Sequence, residues 1–164
     1  MRRGLIITAA LVLTLSTTAH AAEIPEDIKE AAEEIGNEYC VSPALIEAIA
    51  YSESRFTPDI VNRSGKNYGL MQVSPKWNAA RMERLGVNAQ DLLTVRGNIL
   101  VGTDLLAELF ETHEDIVMVL MKYGGFSQAK IDAYINRGVI PAYISDLLDR
   151  AHEYEQANEK GGEQ

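Results

Sequence analysis

The chain has 164 residues and a formal charge of −9. That length rules out a multi-domain machine but allows one domain with a real core. The acidic balance, without any Lys/Arg run, argues against nucleic acid or an anionic membrane surface as partner, so an anionic polymer could be held only by short-range contacts in a groove.

Arg2 and Arg3 precede an apolar run from Leu5 to Leu15, and Ala19-His20-Ala21 follows as a small-x-small cleavage pattern. Residues 1–21 therefore read as a secretory signal peptide, too short for a membrane span. Removing them leaves an exported protein, periplasmic, extracellular or at the wall, with no stable membrane insertion. Residues 22–154 form its single domain, and 155–164 form a polar tail expected to fray. Cys40 is the only cysteine, so an internal disulfide is impossible; it is expected to be a small buried hydrophobe. His113 and His152 stand apart without ligand-spaced neighbours, and neither a metal site nor a cofactor is expected.

The first helix is expected over Ile24–Tyr39, with Pro25 near its start and Ile28, Ala32, Ile35 and Tyr39 on one face. The next runs from Ser42 to Ser54. Ser42 suits the cap and Pro43 the first turn, and Leu45, Ile46, Ile49 and Ala50 mark its apolar face. Pro58 ends it. The polar stretch Asn62–Gly69 reads as turns or a small hairpin. Ser74-Pro75 opens a helix through Trp77 and Met82 that stops at Gly86. Thr94 caps the following one, whose buried stripe is Ile99, Leu106, Ala107 and Phe110. Ile116–Tyr123 is densely apolar and ends at Gly124-Gly125. Ser127–Arg137 is closed by Gly138. Pro141 starts the last helix, with Ile144, Leu147, Leu148, Ala151 and Tyr154 facing inward.

Glu53 continues the Leu45–Ile49 stripe and so falls on an apolar helix face. A carboxyl withdrawn from water resists ionising, the property a general acid needs near neutral pH. The plainer reading is a boundary residue whose head reaches solvent.

Three short patterns bear on the choice. The helix ends in Glu53-Ser54-Arg55-Phe56-Thr57-Pro58, then comes Gly69-Leu70-Met71-Gln72, then Asn98, Gly102, Leu105 and Leu106. In this order and spacing the chain resembles the soluble lytic transglycosylase (SLT) domain of the lysozyme-like superfamily, from about Ile28 to Ala151. The resemblance implies a mainly α, lysozyme-like domain with a short β-hairpin or loop flanking a groove. Its implied partner is the glycan strand of peptidoglycan, bound by a monomer without cofactor. The implied reaction cuts the β-1,4 bond between N-acetylmuramic acid and N-acetylglucosamine and leaves a 1,6-anhydro end, with Glu53 as the single general acid and base.

By the same resemblance Gln72 contacts the substrate near its acetamide, and Tyr123 sits close to Glu53. Met71 and Tyr68 line the groove beneath a sugar, or are a core residue and a turn aromatic. The pattern's substrate-contacting Ser corresponds to Asn62 or Ser64. Two departures stand out: Lys66-Asn67-Tyr68 precedes Gly69, and Lys122-Tyr123-Gly124 replaces the pattern's Ala-Tyr-Asn. Asp59, Asp91 and Asp104 have no evident role as a second carboxylate. A hydrolase on the same scaffold stays open, and so does a non-catalytic wall-binding or assembly module, which Gly124 favours.

Overall fold

The computed structural model describes residues 22–161, so the signal-peptide reading of 1–21 lies outside the described residues. Seven α-helices and one 3-10 turn make up the described fold.

Helix α1 (Glu26–Tyr39) buries Ile28, Ala31, Ala32 and Ile35 against α2 and α4. At Gly36 an added Cβ would stand 2.7 Å from the Val41 carbonyl, so only glycine lets the chain leave α1 and pass so closely. Cys40 closes α1 in the left-handed region (φ 55°) and is exposed, not the buried hydrophobe expected. The turn carries its side chain outward, while Val41 takes the buried place.

Helix α2 (Pro43–Ser54) begins at Ser42, whose carbonyl accepts from the Leu45 and Ile46 amides; its hydroxyl makes no capping bond. Every residue from Ala44 to Ala50 is buried, Glu47 included. Over these seven residues the helix is thus not amphipathic but buried on all sides, clasped by α1 and by α7 (Ala142–Gly161), while Tyr51, Ser52 and Glu53 are half-buried. Burying a side chain such as Ile46 or Ile49 contributes about 2 kcal/mol.

Between α2 and α3 (Ala79–Leu85) the chain runs in turns. The expected hairpin reduces to two isolated antiparallel bridges, Val61 with Tyr68 and Tyr68 with Val73. Helix α3 starts later than Ser74-Pro75 suggests. Buried Asn78 takes the cap position and turns its Nδ2 back to the Ser74 carbonyl at 3.0 Å, which holds residues 75–78 out of the helix. Gly86 ends α3 as expected, at φ 67°.

A 3-10 turn (Asp91–Leu93) leads into α4 (Val95–Thr112), where the Thr94 hydroxyl accepts from the Gly97 amide at 3.2 Å. Helix α5 (Ile116–Tyr123) is capped by Asp115, and α6 (Gln128–Arg137) is closed by Gly138 at φ 65°. Helix α7 runs past Glu155 to Gly161. Its second half packs on α2 through buried Tyr154, and Asn158 reaches Glu47.

Candidate active site

The end of α2 is stitched in place. Ser54 Oγ donates to the Ala50 carbonyl (2.9 Å) and accepts from the Thr57 amide (3.2 Å). Arg55 and Phe56 both lie in the left-handed region, at φ 54° and 61°. Two such residues in succession cost roughly 1 kcal/mol or more each. The Phe56 ring helps to offset this by packing edge-on against Tyr51 at 5.4 Å and beside Tyr154 at 6.5 Å. In the Glu-Ser-x-aromatic pattern, then, the serine latches the last turn and the aromatic anchors its exit.

Glu53, in that last turn, is half-buried. Burial pushes its carboxyl pKa up; a hydrogen bond from the Tyr143 hydroxyl to Oε1 pulls it partway back. Tyr143 stands in the first turn of α7, and its ring packs against Phe126 at 6.2 Å. Burial and the charge of Glu53 raise the Tyr143 and Tyr123 phenols well above their ordinary range, so both remain neutral donors. Among the described residues, the groups that couple to Glu53 are these two phenols.

The second motif is held by Asn98, which is fully buried on α4. Its Oδ1 accepts from the Met71 amide (2.7 Å), and its Nδ2 donates to the carbonyls of Tyr68 (2.8 Å) and Leu92 (2.7 Å). Gly69, at φ 71°, has no space for a Cβ, which would fall 2.1 Å from Asn98 Nδ2. One turn along α4, a Cβ at Gly102 would fall 2.5 Å from Met71 Sδ. The Asn98–Gly102 spacing thus seats the Gly69–Gln72 loop on α4.

Met71 is corrected by this arrangement. Its side chain is 1 % exposed and packs in the core, so it does not lie beneath a sugar. What it offers the site is its carbonyl, which accepts the Tyr123 hydroxyl at 2.8 Å. Tyr68 is half-buried and paired through its backbone to Val73. Asn62 folds its own loop: Oδ1 accepts from the Ser64 hydroxyl (2.9 Å) and the Lys66 amide (3.0 Å).

Gln72 and Tyr123 come together on the wall of a cleft of about 560 Å³, with Trp77, Arg81, Glu108 and Gly124. Gln72 is left-handed (φ 49°), and its Nε2 donates to the Gly69 carbonyl at 2.9 Å, which leaves Oε1 as the acceptor of its amide. Asn62, Ser64 and Tyr68 do not line this cleft; Asn67 does. Glu108 is its one carboxylate, and Arg81 pairs with it at 2.8 Å. Asp104 is held by Arg81 and Arg84, which keep it below the usual carboxylate range despite its burial. Asp91 accepts from the Asn88 amide at 2.8 Å, and Asp59 is exposed. Among the described residues no three His, Cys, Asp or Glu side chains gather as metal ligands.

Sequence reasoning missed Tyr143, which lies off the inward stripe of α7, and Trp77, read only as one residue of an expected helix. The Pro141 helix start, which sets Tyr143 in a first turn, was the available signal for it.

A buried helix with Glu53 in its last turn, a loop seated on α4 by Asn98 and a cleft lined by Gln72 of that loop, but not by Glu53, belong to a mainly α domain, and its family places it in the lysozyme-like superfamily. The family model described as the transglycosylase SLT domain matches residues 30–135, and the chain belongs to that family. No curated protein matches the chain. Membership carries a lytic transglycosylase-type function on peptidoglycan at the level of the family. Tyr143 lies beyond the matched span.

Proposed function

We propose that this protein is an exported lytic transglycosylase that cuts the N-acetylmuramic acid–N-acetylglucosamine β-1,4 bond with Glu53 as its only acid and base. The observation that carries the reading is the state of Glu53: a carboxyl in the last turn of a largely buried helix, its pKa raised by burial, with the Tyr143 phenol hydrogen-bonded to it and Tyr123 nearby. A protonated Glu53 gives its proton to the bridging oxygen as the C1–oxygen bond breaks. The substrate's own acetamide oxygen shares the positive charge that develops at C1. Gln72 Oε1 accepts from the acetamide N–H and fixes its orientation. Tyr123 and Tyr143 hold the site around the acid, Tyr143 by its hydrogen bond to Oε1.

Glu53, now a carboxylate, removes the proton from the sugar's 6-hydroxyl. The new O6–C1 bond closes the 1,6-anhydro ring, and Glu53 ends protonated as it began. No water is consumed, because an intramolecular hydroxyl has a very large effective concentration. The starting proton on Glu53 sets the pH dependence: activity falls as pH rises through its raised pKa.

Digestion of sacculi followed by mass spectrometry tests this. The fragments are expected to carry anhydro ends and to sum to the mass of the intact strand. Reducing ends, with one water gained per cut, would instead establish a hydrolase. Glu53→Gln should lower the rate on the order of 10³-fold; wild-type clearing by that variant would remove Glu53 from the mechanism.

A further inference from the structure

Trp77 is 81 % exposed, the most exposed of the large hydrophobic side chains. It is not on a loose loop. Asn78, buried directly after it, is tied back to Ser74 by its amide (3.1 Å) and its side chain (3.0 Å), and its Oδ1 accepts from Arg81 Nε at 3.1 Å. Arg81 is in turn fixed to Asp104 on α4. The backbone that carries the indole is therefore anchored to the helix that seats the Gln72 loop. Lys76 holds its ammonium over the ring at 5.0 Å, which leaves the opposite face for a ligand.

The position of the indole narrows the ligand. Trp77 shares one cleft with Gln72 and Tyr123, and it also borders a second hollow of about 400 Å³ with Arg84 and Glu108. Gly124 and Gly125 line the same cleft and present no side chain to it, so the cleft is open at the place where the family pattern carries an amide. The two guanidinium groups nearby are paired, Arg81 with Asp104 and Glu108 and Arg84 with Asp104, while Lys122 on the cleft wall and Lys76 over the indole carry the remaining positive charge. The exposed indole, rather than a cluster of charges, is the feature a ligand would meet here. A β-linked N-acetylhexosamine has equatorial substituents and a face of axial C–H groups, which an indole covers well.

We propose that Trp77 is a sugar-stacking platform that forms a binding subsite for an N-acetylhexosamine ring away from the cleaved bond. The inference rests on the glycan-cleaving reading above and adds a specificity residue to it. The platform compensates for the amide missing at Gly124 by short-range apolar contact, the form of binding open to an acidic protein.

Trp77 is the only tryptophan in the chain, so its fluorescence reports this contact directly. The full chain carrying Glu53→Gln is titrated with N-acetylglucosamine hexamer and with peptide-free glycan strands. A saturable change in emission is expected. In kinetics on glycan strands with active enzyme, Trp77→Ala should raise KM about tenfold with kcat unchanged, the effect of about 1.4 kcal/mol of lost contact. Trp77→Tyr should recover most of it. Emission that responds only to peptide-bearing strands would overturn the proposal in favour of a stem-peptide site. An unchanged KM for Trp77→Ala, or emission indifferent to every glycan that the active enzyme cleaves, would overturn it outright. Failure of the acid assignment would show separately, as activity retained by Glu53→Gln while Trp77 still responds to glycan.

Discussion

Glu47 gives the sharpest quantitative prediction. It lies on α2 with no exposed surface, and its Oε1 has no hydrogen-bond partner. Oε2 is reached only by Asn158 Nδ2, at 3.5 Å. The groups around it are Lys29 and Glu33 from α1 and Asn158 and Tyr154 from α7. Burial outweighs the pull of Asn158 and Lys29 and drives the carboxyl from an ordinary 4.5 up to about 7. A raised pKa means that the folded protein keeps this proton over a range where the unfolded chain has lost it. Stability from this group is therefore complete below about pH 4.5, falls as pH rises through about 7, and is gone above. The full loss is at most about 3 kcal/mol. Glu47→Gln is neutral at every pH and removes the dependence. Near pH 4 the two proteins should be almost equally stable. Near pH 8 the Gln variant should be more stable by up to about 3 kcal/mol, on the order of 10 °C in Tm. Thermal and urea unfolding followed by circular dichroism over this range measures the difference, in which all other titrating groups cancel. A difference that stays flat with pH would mean that water reaches the Glu47 carboxyl, and the reasoning would fail.

Tyr143→Phe removes the hydrogen bond that holds the Glu53 pKa down, so the alkaline limb of the pH–rate profile should move to higher pH while kcat falls; an unmoved limb would detach Tyr143 from the acid. Asn98→Ala leaves the Met71 amide and the Tyr68 and Leu92 carbonyls without their partner and should cost about 2–4 kcal/mol in denaturant unfolding, with activity lost along with the Gln72 loop. Gly124→Asn restores the amide that the family pattern carries. The backbone there (φ −74°) accepts any residue, and the new Cβ meets the edge of the Phe126 ring at 3.0 Å and the Leu120 carbonyl oxygen at 3.3 Å. A stability change under about 1 kcal/mol and a lower KM on glycan strands are expected; a raised KM would show that the open floor is what this cleft needs.

The periodicity of the chain made most helices legible. Thr94, Gly86 and Gly138 punctuate them where turn chemistry says they should. The Leu45–Ile49–Glu53 stripe put a carboxyl on an apolar face, and the pattern Gly69–Gln72 with Asn98 and Gly102 has a direct steric cause in the fold. Other features were invisible for equally physical reasons. A stripe assigns one buried face, but α2 is buried all round from Ala44 to Ala50, so the burial of Glu47 lies outside what the stripe can predict. The contact of Tyr143 with Glu53 joins the first turn of α7 to the last of α2, and no local pattern encodes such a pair. Cys40 and the α3 start were misjudged because a left-handed turn and the buried Asn78 overrule local propensity. Met71 shows the ambiguity of an apolar residue in a polar motif: its side chain serves the core and its carbonyl serves the site.

One cause joins the two carboxylates of α2. The helix is enclosed between α1 and α7, and an enclosed helix penalises any charge it carries. At Glu53 that penalty is tempered by Tyr143 and by the opening at the helix end, which leaves an acid able both to release and to regain a proton. At Glu47, deeper in the same helix, the penalty meets only a long contact from Asn158 and becomes a cost to stability as pH rises. Opening the α2–α7 contact should therefore lower both pKa values together, whereas Tyr143→Phe should move Glu53 alone. Comparison of the pH–rate limb with the pH–stability curve in variants of the α7 face would separate the two.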